Sequence, residues 1–252
     1  MRDGAYFAAR PPRIFAHRGL AIGVPENTPP AFRAALGSGA THLETDVHAS
    51  ADDVAVISHD PDLARIAGRA ASVERLTMAQ LRAIDLGGGQ GFISLTEALT
   101  EFPHALFNVD VKSARAVEPT ARAILAAGAT GRVLVTSFSN RRRARTVALL
   151  PGVATSASSV QVLWAVVGAR LRFAPLVRRI ARAVDAVQIP ERYGRFRLVT
   201  SRSVSAWHAV GLEVHVWTVN DPRDMRRLLR LGVDGIITDR CDRAFEVIVA
   251  DS

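Results

Sequence analysis

Short β-rich apolar runs alternate along this chain with stretches whose apolar residues recur at helical spacing. The runs cover residues 13–16, 42–47, 54–58, 106–111, 133–136, 153–156, 186–189, 214–219 and 235–238. Amphipathic stretches at 114–127, 141–150, 201–210 and 222–231 lie between them. Gly128, Gly211 and Gly232 stand where a helix would stop before the next strand. This alternation predicts an α/β fold with a parallel sheet, and the number of units predicts closure into a (β/α)8 barrel.

Nine runs are one too many for eight barrel strands. Between the second and third lie only residues 49–53, and a parallel crossover needs a dozen residues or more. Those two runs are therefore expected to form a hairpin turning at 50–53, which would carry His59 back roughly level with Glu44. Residues 61–92 match no single barrel helix. A short helical pattern around 78–84 and a Gly87-Gly88-Gly89 turn suggest a small insertion after the second strand, packed over the barrel mouth. Ser94 is expected to cap the resumed helix, with Glu97 completing a capping box.

The 252 residues, 48% of them apolar, suffice for one barrel domain, expected over residues 13–252. No charged-then-apolar leader opens the chain, and no run approaches the roughly 18 apolar residues of a membrane span. The single cysteine, Cys241, excludes an internal disulfide and a cysteine-based zinc site. A soluble, cytoplasmic protein is the expectation. The net charge of +8 favours anionic partners such as phosphate esters or membrane surfaces. With no zinc-finger spacing, RNA-binding aromatic motif or long basic tail, no nucleic-acid partner is expected. Arg141-Arg142-Arg143 should open a helix and face solvent. Residues 160–183 mix Leu163, Trp164 and Leu171 with Arg170, Arg178 and Arg179. They read as a barrel helix with a basic outer face, the alternative being a helix that touches a membrane transiently. Phe138 and Trp164 read as packing residues.

In a (β/α)8 barrel, chemistry sits at the C-terminal ends of the strands. Here those ends carry His17-Arg18, Glu44-Thr45-Asp46, Asp110-Val111-Lys112, Gln188, Trp217 and Asp239. Period-two alternation puts Glu44 and Asp46 on one face of a strand, and Asp110 and Lys112 on one face of another. A salt bridge inside the barrel would explain any one of these acids. Three acids beside two histidines and no cysteine instead favour a hard cation, Mg²⁺ or Ca²⁺, with an acid–base pair. Lys112 is the only lysine among 32 basic residues. A compact ammonium where every other basic position is a broad guanidinium suggests a tight site that demands a point charge.

The ordered set His17-Arg18-Gly19, Pro25-Glu26-Asn27-Thr28, Glu44-Thr45-Asp46-Val47, His59-Asp60, Asn108-Val109-Asp110-Val111-Lys112, Ser137-Phe138, Val216-Trp217-Thr218-Val219-Asn220 and Gly232 to Asp239 resembles the glycerophosphodiester phosphodiesterases. The likeness runs from about residue 13 to 239. It implies a distorted TIM barrel with a small insertion after the second strand. It also implies hydrolysis of glycerophosphodiesters to glycerol 3-phosphate and an alcohol with a divalent cation. By the same resemblance His17 and His59 would be the general acid/base pair, and Glu44, Asp46 and Asp110 the metal ligands. Arg18 and Lys112 would bind the phosphate, and Trp217 would pack on the glycerol moiety. Two positions depart from the family pattern: Asp110 stands where Glu is common, and Cys241 where proline often follows the last Thr-Asp. Rival readings are a lysophospholipase D-like activity on a substrate that keeps its acyl chain, and a catalytically idle phospholipid-binding barrel. His42, His48, His104, His208 and His215 match no motif and read as structural or surface residues, His215 being nearest the site. Glu26 should shape the first loop, within reach of Arg18 or a substrate hydroxyl.

Overall fold

In the computed structural model, which describes residues 5–250, eleven strands follow one another along the chain. They are β1 (Arg13–His17), β2 (His42–Ala49), β3 (Ala55–Ile57), β4 (Leu106–Val111), β5 (Val133–Thr136), β6 (Ala154–Thr155), β7 (Ala186–Pro190), β8 (Arg192–Tyr193), β9 (Phe196–Arg197), β10 (Glu213–Trp217) and β11 (Gly235–Thr238). Eight lie side by side in parallel, in the order β6-β5-β4-β2-β1-β11-β10-β7. A parallel bridge between Ser156 and Ala186 brings the two ends of that row together, so the sheet is a nearly closed barrel. The ninth run, β3, pairs antiparallel with β2 through Val47–Ile57 and Ala49–Ala55. Extending that register puts His59 opposite Thr45, one residue from the expected Glu44. The β8–β9 hairpin was not legible, because all four of its residues are exposed and give no apolar run.

The helices are α1 (Pro29–Gly37), α2 (Ala64–Ala67), α3 (Met78–Arg82), α4 (Leu95–Glu101), α5 (Val117–Ala126), α6 (Asn140–Ala148), α7 (Ser159–Arg170), α8 (Ala174–Ala181), α9 (Ser201–His208), α10 (Pro222–Arg230) and α11 (Cys241–Ala250). Gly128, Gly211 and Gly232 do close α5, α9 and α10, with φ of 57°, 79° and 87°. Ser94 Oγ accepts from the Glu97 amide while the Glu97 carboxylate accepts from the Ser94 amide, the capping box expected for α4. Among the described residues no helix is long and apolar enough to cross a membrane.

Three local expectations are corrected. Of the arginine run, only Arg141 is exposed; Arg143 is buried, its Nη1 donating to Thr155 Oγ1 and the Ala183 carbonyl. Arg143 shares the inward face of α6 with Thr146, one turn on. The insertion at 61–92 lies beside the mouth rather than over it. Its Leu63, Val73, Leu81 and Phe92 form a small core of their own with Val56 of β3, and no residue of 61–92 lines the cavity described below. Finally, the outer face of α7 is apolar, not basic: Val160, Leu163 and Trp164 are all exposed there.

The floor of the barrel is polar. Arg13, 1% exposed, donates from Nε and Nη2 to the Glu213 carboxylate, both at 2.8 Å. Glu213 Oε2 also lies 3.0 Å from Nε2 of the fully buried His215. Burial by itself would lift the Glu213 pKa, but hydrogen bonds from Arg13 and His215 and their charge hold it at about 2. A depressed carboxylate stabilises the fold above its unfolded pKa and loses that contribution as pH falls through the folded value. Glu213 should therefore contribute up to about 3 kcal/mol at neutral pH that disappears between roughly pH 5 and pH 2. Urea denaturation at pH 7 and pH 3 checks this. Glu213→Gln should be less stable than the parent at pH 7, because Arg13 loses its counter-ion, and should lose less on acidification. Equal acid slopes in the two proteins would remove Glu213 from the account.

Candidate active site

A cavity of about 770 Å³ opens at the C-terminal ends of the barrel strands. His17, Arg18, Glu44, Asp46, His59, Asp110, Lys112 and Trp217 all line it, so the fold gathers every site residue expected from the sequence.

The His-Arg-Gly turn is built by backbone constraints. Arg18 takes a left-handed conformation at φ 58°, and Gly19 follows at φ 83°. A Cβ on Gly19 would stand 2.8 Å from the Ala31 backbone, so only glycine lets α1 approach this closely. The reversal folds the Arg18 side chain back over the pocket. Its Nε is 3.4 Å from Asp46 Oδ2, and its Nη1 donates to Glu26 Oε1 at 3.2 Å. Asn27 fixes the returning loop: its amide donates to the Arg18 carbonyl, and its Oδ1 accepts from Thr45 Oγ1.

Parallel pairing of β2 with β4 sets Asp46 beside Asp110. Lys112 Nζ reaches both, at 2.8 Å from Asp46 Oδ1 and 2.7 Å from Asp110 Oδ2. Burial would make that ammonium easier to deprotonate, but the two carboxylates outweigh it and raise its pKa. Burial and the neighbouring Asp46 carboxylate push Glu44 up to about 8. Burial likewise raises Asp110, against the pull of Lys112. With all three carboxylates ionised, three negative charges would face only the positive charges of Lys112 and Arg18.

Each catalytic candidate histidine is held by a carboxylate. His17 Nδ1 lies 2.6 Å from Asp239 Oδ1, and His59 Nδ1 lies 2.7 Å from Asp60 Oδ1. A carboxylate only accepts, so Nδ1 carries the proton in both rings and the Nε2 edge is left for the pocket. Burial lowers the His17 pKa, but Glu44, 4.0 Å from its Nε2, and the bond to Asp239 outweigh it and raise the pKa overall. Asp239 is itself fixed by the Asn220 side-chain amide at 2.7 Å. Glu26 does reach Arg18, as expected.

Several functional neighbours had no role in the sequence reading. Asp60 and Asp239 were visible as motif letters, yet their pairing with the two rings needs the third dimension. Arg65, from α2, donates from Nε to Asp60 Oδ2 at 2.5 Å and from Nη2 to Glu26 Oε1 at 2.6 Å. It thus joins the carboxylate behind His59 to the one beside Arg18. Arg65→Ala should lower kcat about tenfold with little change in KM, and Arg65→Lys should recover part of the loss. Steady-state kinetics on both variants tests this, and an unchanged kcat in Arg65→Ala would leave Asp60 as sufficient alone. Phe138 is not a packing residue: it is 56% exposed, meets Trp217 edge-on at 5.9 Å, and has Lys112 Nζ 5.6 Å from its ring. Trp164, also expected to pack, is 49% exposed.

The remaining histidines stay outside the site. His215 faces the barrel floor, between Glu213 and Gln188. His42 is buried against Tyr6 and Phe15, where burial drives its pKa down to about 3. His48 bonds the His59 carbonyl, His208 pairs with Asp234, and His104 is exposed.

Among the described residues no three His, Cys, Asp or Glu side chains form a ready-made ion cage, since Lys112 stands between two of the acids. The donor chemistry still fits a hard divalent cation. Glu44, Asp46 and Asp110 are all buried, and Asp46 Oδ2 and Asp110 Oδ1 have no hydrogen-bond partner.

A model of the glycerophosphoryl diester phosphodiesterase family matches residues 17–243. A protein of Mycobacterium tuberculosis named probable glycerophosphodiester phosphodiesterase 2 is 41% identical over 237 residues, covering 93% of this chain and 90% of its own. A glycerophosphodiester phosphodiesterase of Bacillus altitudinis is 29% identical, with 93% and 97% covered. Two solved structures share the fold. The glycerophosphodiester phosphodiesterase of Agrobacterium tumefaciens aligns with a TM-score of 0.77 at 24% identity, over 94% of this chain and 99% of that one. A phosphodiesterase of Oleispira antarctica, in complex with the product sn-glycerol-3-phosphate, aligns with a TM-score of 0.77 at 22% identity, over 96% and 98%.

Proposed function

The chain belongs to the glycerophosphoryl diester phosphodiesterase family, and from that premise we propose that it hydrolyses glycerophosphodiesters to glycerol 3-phosphate and an alcohol. The observation that carries this reading is the pair of carboxylate-backed imidazoles, His17 on Asp239 and His59 on Asp60, on one cavity with Arg18 and Lys112.

A phosphodiester is anionic and repels nucleophiles, so positive charge must offset the charge that builds on phosphorus in the transition state. Arg18 and Lys112 take the phosphate oxygens in this reading. Glu44, Asp46 and Asp110 would hold Mg²⁺ or Ca²⁺, which when bound supplies further positive charge at the phosphoryl oxygens. One histidine takes the proton from the attacking hydroxyl through Nε2 as the new P–O bond forms. The other gives its Nε2 proton to the alkoxide as the old P–O bond breaks. The attacking hydroxyl is water or the substrate's own glycerol 2-hydroxyl; in the latter case water opens the cyclic ester with the two histidines in exchanged roles. Asp60 and Asp239 keep the Nδ1 proton on both rings, so the base presents a bare Nε2, while the acid acts as the imidazolium and carries a second proton on its Nε2. Trp217 offers its face to the glycerol moiety.

A second reading, lysophospholipase D-like hydrolysis, is favoured by one observation. The cavity wall away from the acids is apolar, built from Val162, Leu163, Val166, Pro190, Leu198 and Phe138. A lipid that keeps its acyl chain could lie along it, delivered by a transient contact with a membrane surface. Turnover of glycerophosphocholine and lysophosphatidylcholine, measured side by side with Mg²⁺ and with Ca²⁺, separates the readings. Glycerophosphocholine should be the better substrate. A preference of about tenfold for the lysolipid would install the second reading, and no turnover of either would favour an idle lipid-binding barrel.

A further inference from the structure

Helix α7 is apolar on both sides. Its inner face buries Ala165, Val166 and Ala169, while Val160, Leu163 and Trp164 on the other side stand 47–57% exposed. A helix of a water-soluble domain normally turns charged residues outward, so an apolar outer face marks a surface with a partner. The patch continues into Leu171 and Phe173, 72% and 55% exposed, which join α7 to α8. It reaches the β8–β9 hairpin through Tyr193 and Phe196. Hairpin and helix are joined: Arg170 Nη2 donates to the Arg197 carbonyl at 2.9 Å, and its guanidinium lies 5.8 Å from the Phe196 ring.

Charge indicates what covers this surface. Residues 157–184 contain five arginines and neither Asp nor Glu, and the hairpin adds Arg195, while its Arg192 and Arg197 pair with Glu191. The acid beside the hairpin, Glu191, is already taken by Arg197 and Arg227. Exposed aromatic and aliphatic side chains bordered by this excess of guanidinium groups match the boundary layer of an anionic phospholipid bilayer. There rings sit at headgroup depth and arginines meet phosphates. Helix α7 and its turn into α8 form the apolar ridge of this surface. Leu163 and Tyr193 belong at once to the patch and to the cavity lining, so the ridge surrounds one side of the cavity mouth.

We propose that the α7–α8 ridge and the β8–β9 hairpin dock this protein on anionic lipid bilayers, with the mouth of the cavity set at the membrane surface. This deepens the transient membrane contact raised above. It depends on the phosphodiesterase reading only for the meaning of the orientation, since docking itself needs no turnover.

Co-sedimentation of the full chain with phosphatidylcholine vesicles, with and without about 30 mol% phosphatidylglycerol, provides the test. The anionic vesicles should bind at least about tenfold more protein, and 0.5 M salt, at about a 4 Å Debye length, should release most of it. Trp164→Ser/Phe173→Ser and Arg178→Glu/Arg179→Glu should each weaken binding about tenfold. Brominated lipid should quench fluorescence in the parent and much less in Trp164→Phe. Equal binding to neutral vesicles, or binding that survives both double variants, would overturn the proposal. So would light scattering that shows a parent dimer dissolved by Trp164→Ser/Phe173→Ser, because the ridge would then cover a second copy. Turnover of soluble glycerophosphocholine is followed in the same samples. Vesicle binding without turnover would sink the phosphodiesterase reading and leave docking standing; turnover without binding would do the reverse.

Discussion

Replacing His59 with Ala is expected to lower turnover of glycerophosphocholine by about a thousandfold while the circular dichroism spectrum and melting temperature stay close to the parent's. The ring is one-third exposed at the cavity, and its known bonds are to Asp60, which Arg65 also holds. Its removal therefore leaves no buried carboxylate without a partner. His17→Ala should match it in kinetics. It removes a partner from Asp239, whose carboxylate the His17 bond holds below the usual range, but Asn220 still donates there. Because the two rings act on the same displacement from opposite ends, His17→Ala/His59→Ala should lose little more than either single change. The loss should fall on kcat, since phosphate binding is assigned to Arg18 and Lys112. A folded His17→Ala protein that keeps full turnover would end the acid–base assignment, and a tenfold rise in KM alone would recast that histidine as a binding group.

Much of this site was legible because barrel topology converts sequence order into position. Eight short apolar runs ending in polar residues suffice to predict one ring of strand ends, and the 49–53 gap is too short for anything but a hairpin. Lys112 stood out by composition, and the structure sets it between Asp46 and Asp110. The expectations that failed concern which way a side chain faces when the local pattern is ambiguous. Arg141-Arg142-Arg143 looks like a solvated run, but Arg143 lies one turn before the buried Thr146 on the inward face of α6 and goes inside. Residues 160–171 are apolar at almost every position, so periodicity could not say which face is inward. Residues 61–92 contain enough apolar side chains to serve as a lid, yet Val56 gives them a closer surface on which to bury. The contacts made by Asp60, Asp239 and Arg65 join residues from separate elements, and no spacing rule encodes them.

Stripping divalent cations from the protein with excess EDTA is expected to reduce glycerophosphocholine turnover at least about a hundredfold, and returning Mg²⁺ or Ca²⁺ should restore it. The expectation comes from an imbalance in the pocket. Three carboxylates crowd a buried space in which Lys112 spreads one positive charge over Asp46 and Asp110, and Arg18 approaches Asp46 at 3.4 Å. Burial and like charge hold Glu44 at about 8, and one oxygen each of Asp46 and Asp110 goes without a hydrogen bond. Left to themselves, such groups cost stability, so their arrangement makes sense around added positive charge. Binding can be read apart from turnover: titration calorimetry with each cation should show one site on the parent and a loss of affinity of about tenfold or more in Asp46→Asn and Asp110→Asn. Glu44→Gln should also unfold at a higher temperature than the parent in EDTA at pH 9, because it removes a buried carboxylate whose ionised form is disfavoured by burial and by Asp46, and at a lower one in saturating cation. Asp110 is one methylene shorter than the Glu common at this position in the family. Asp110→Glu should therefore tighten cation binding if the shorter arm reaches the ion only through water. Full turnover in excess EDTA, with no heat of binding for either cation, would mean that Lys112 and Arg18 alone offset the charge on the phosphate.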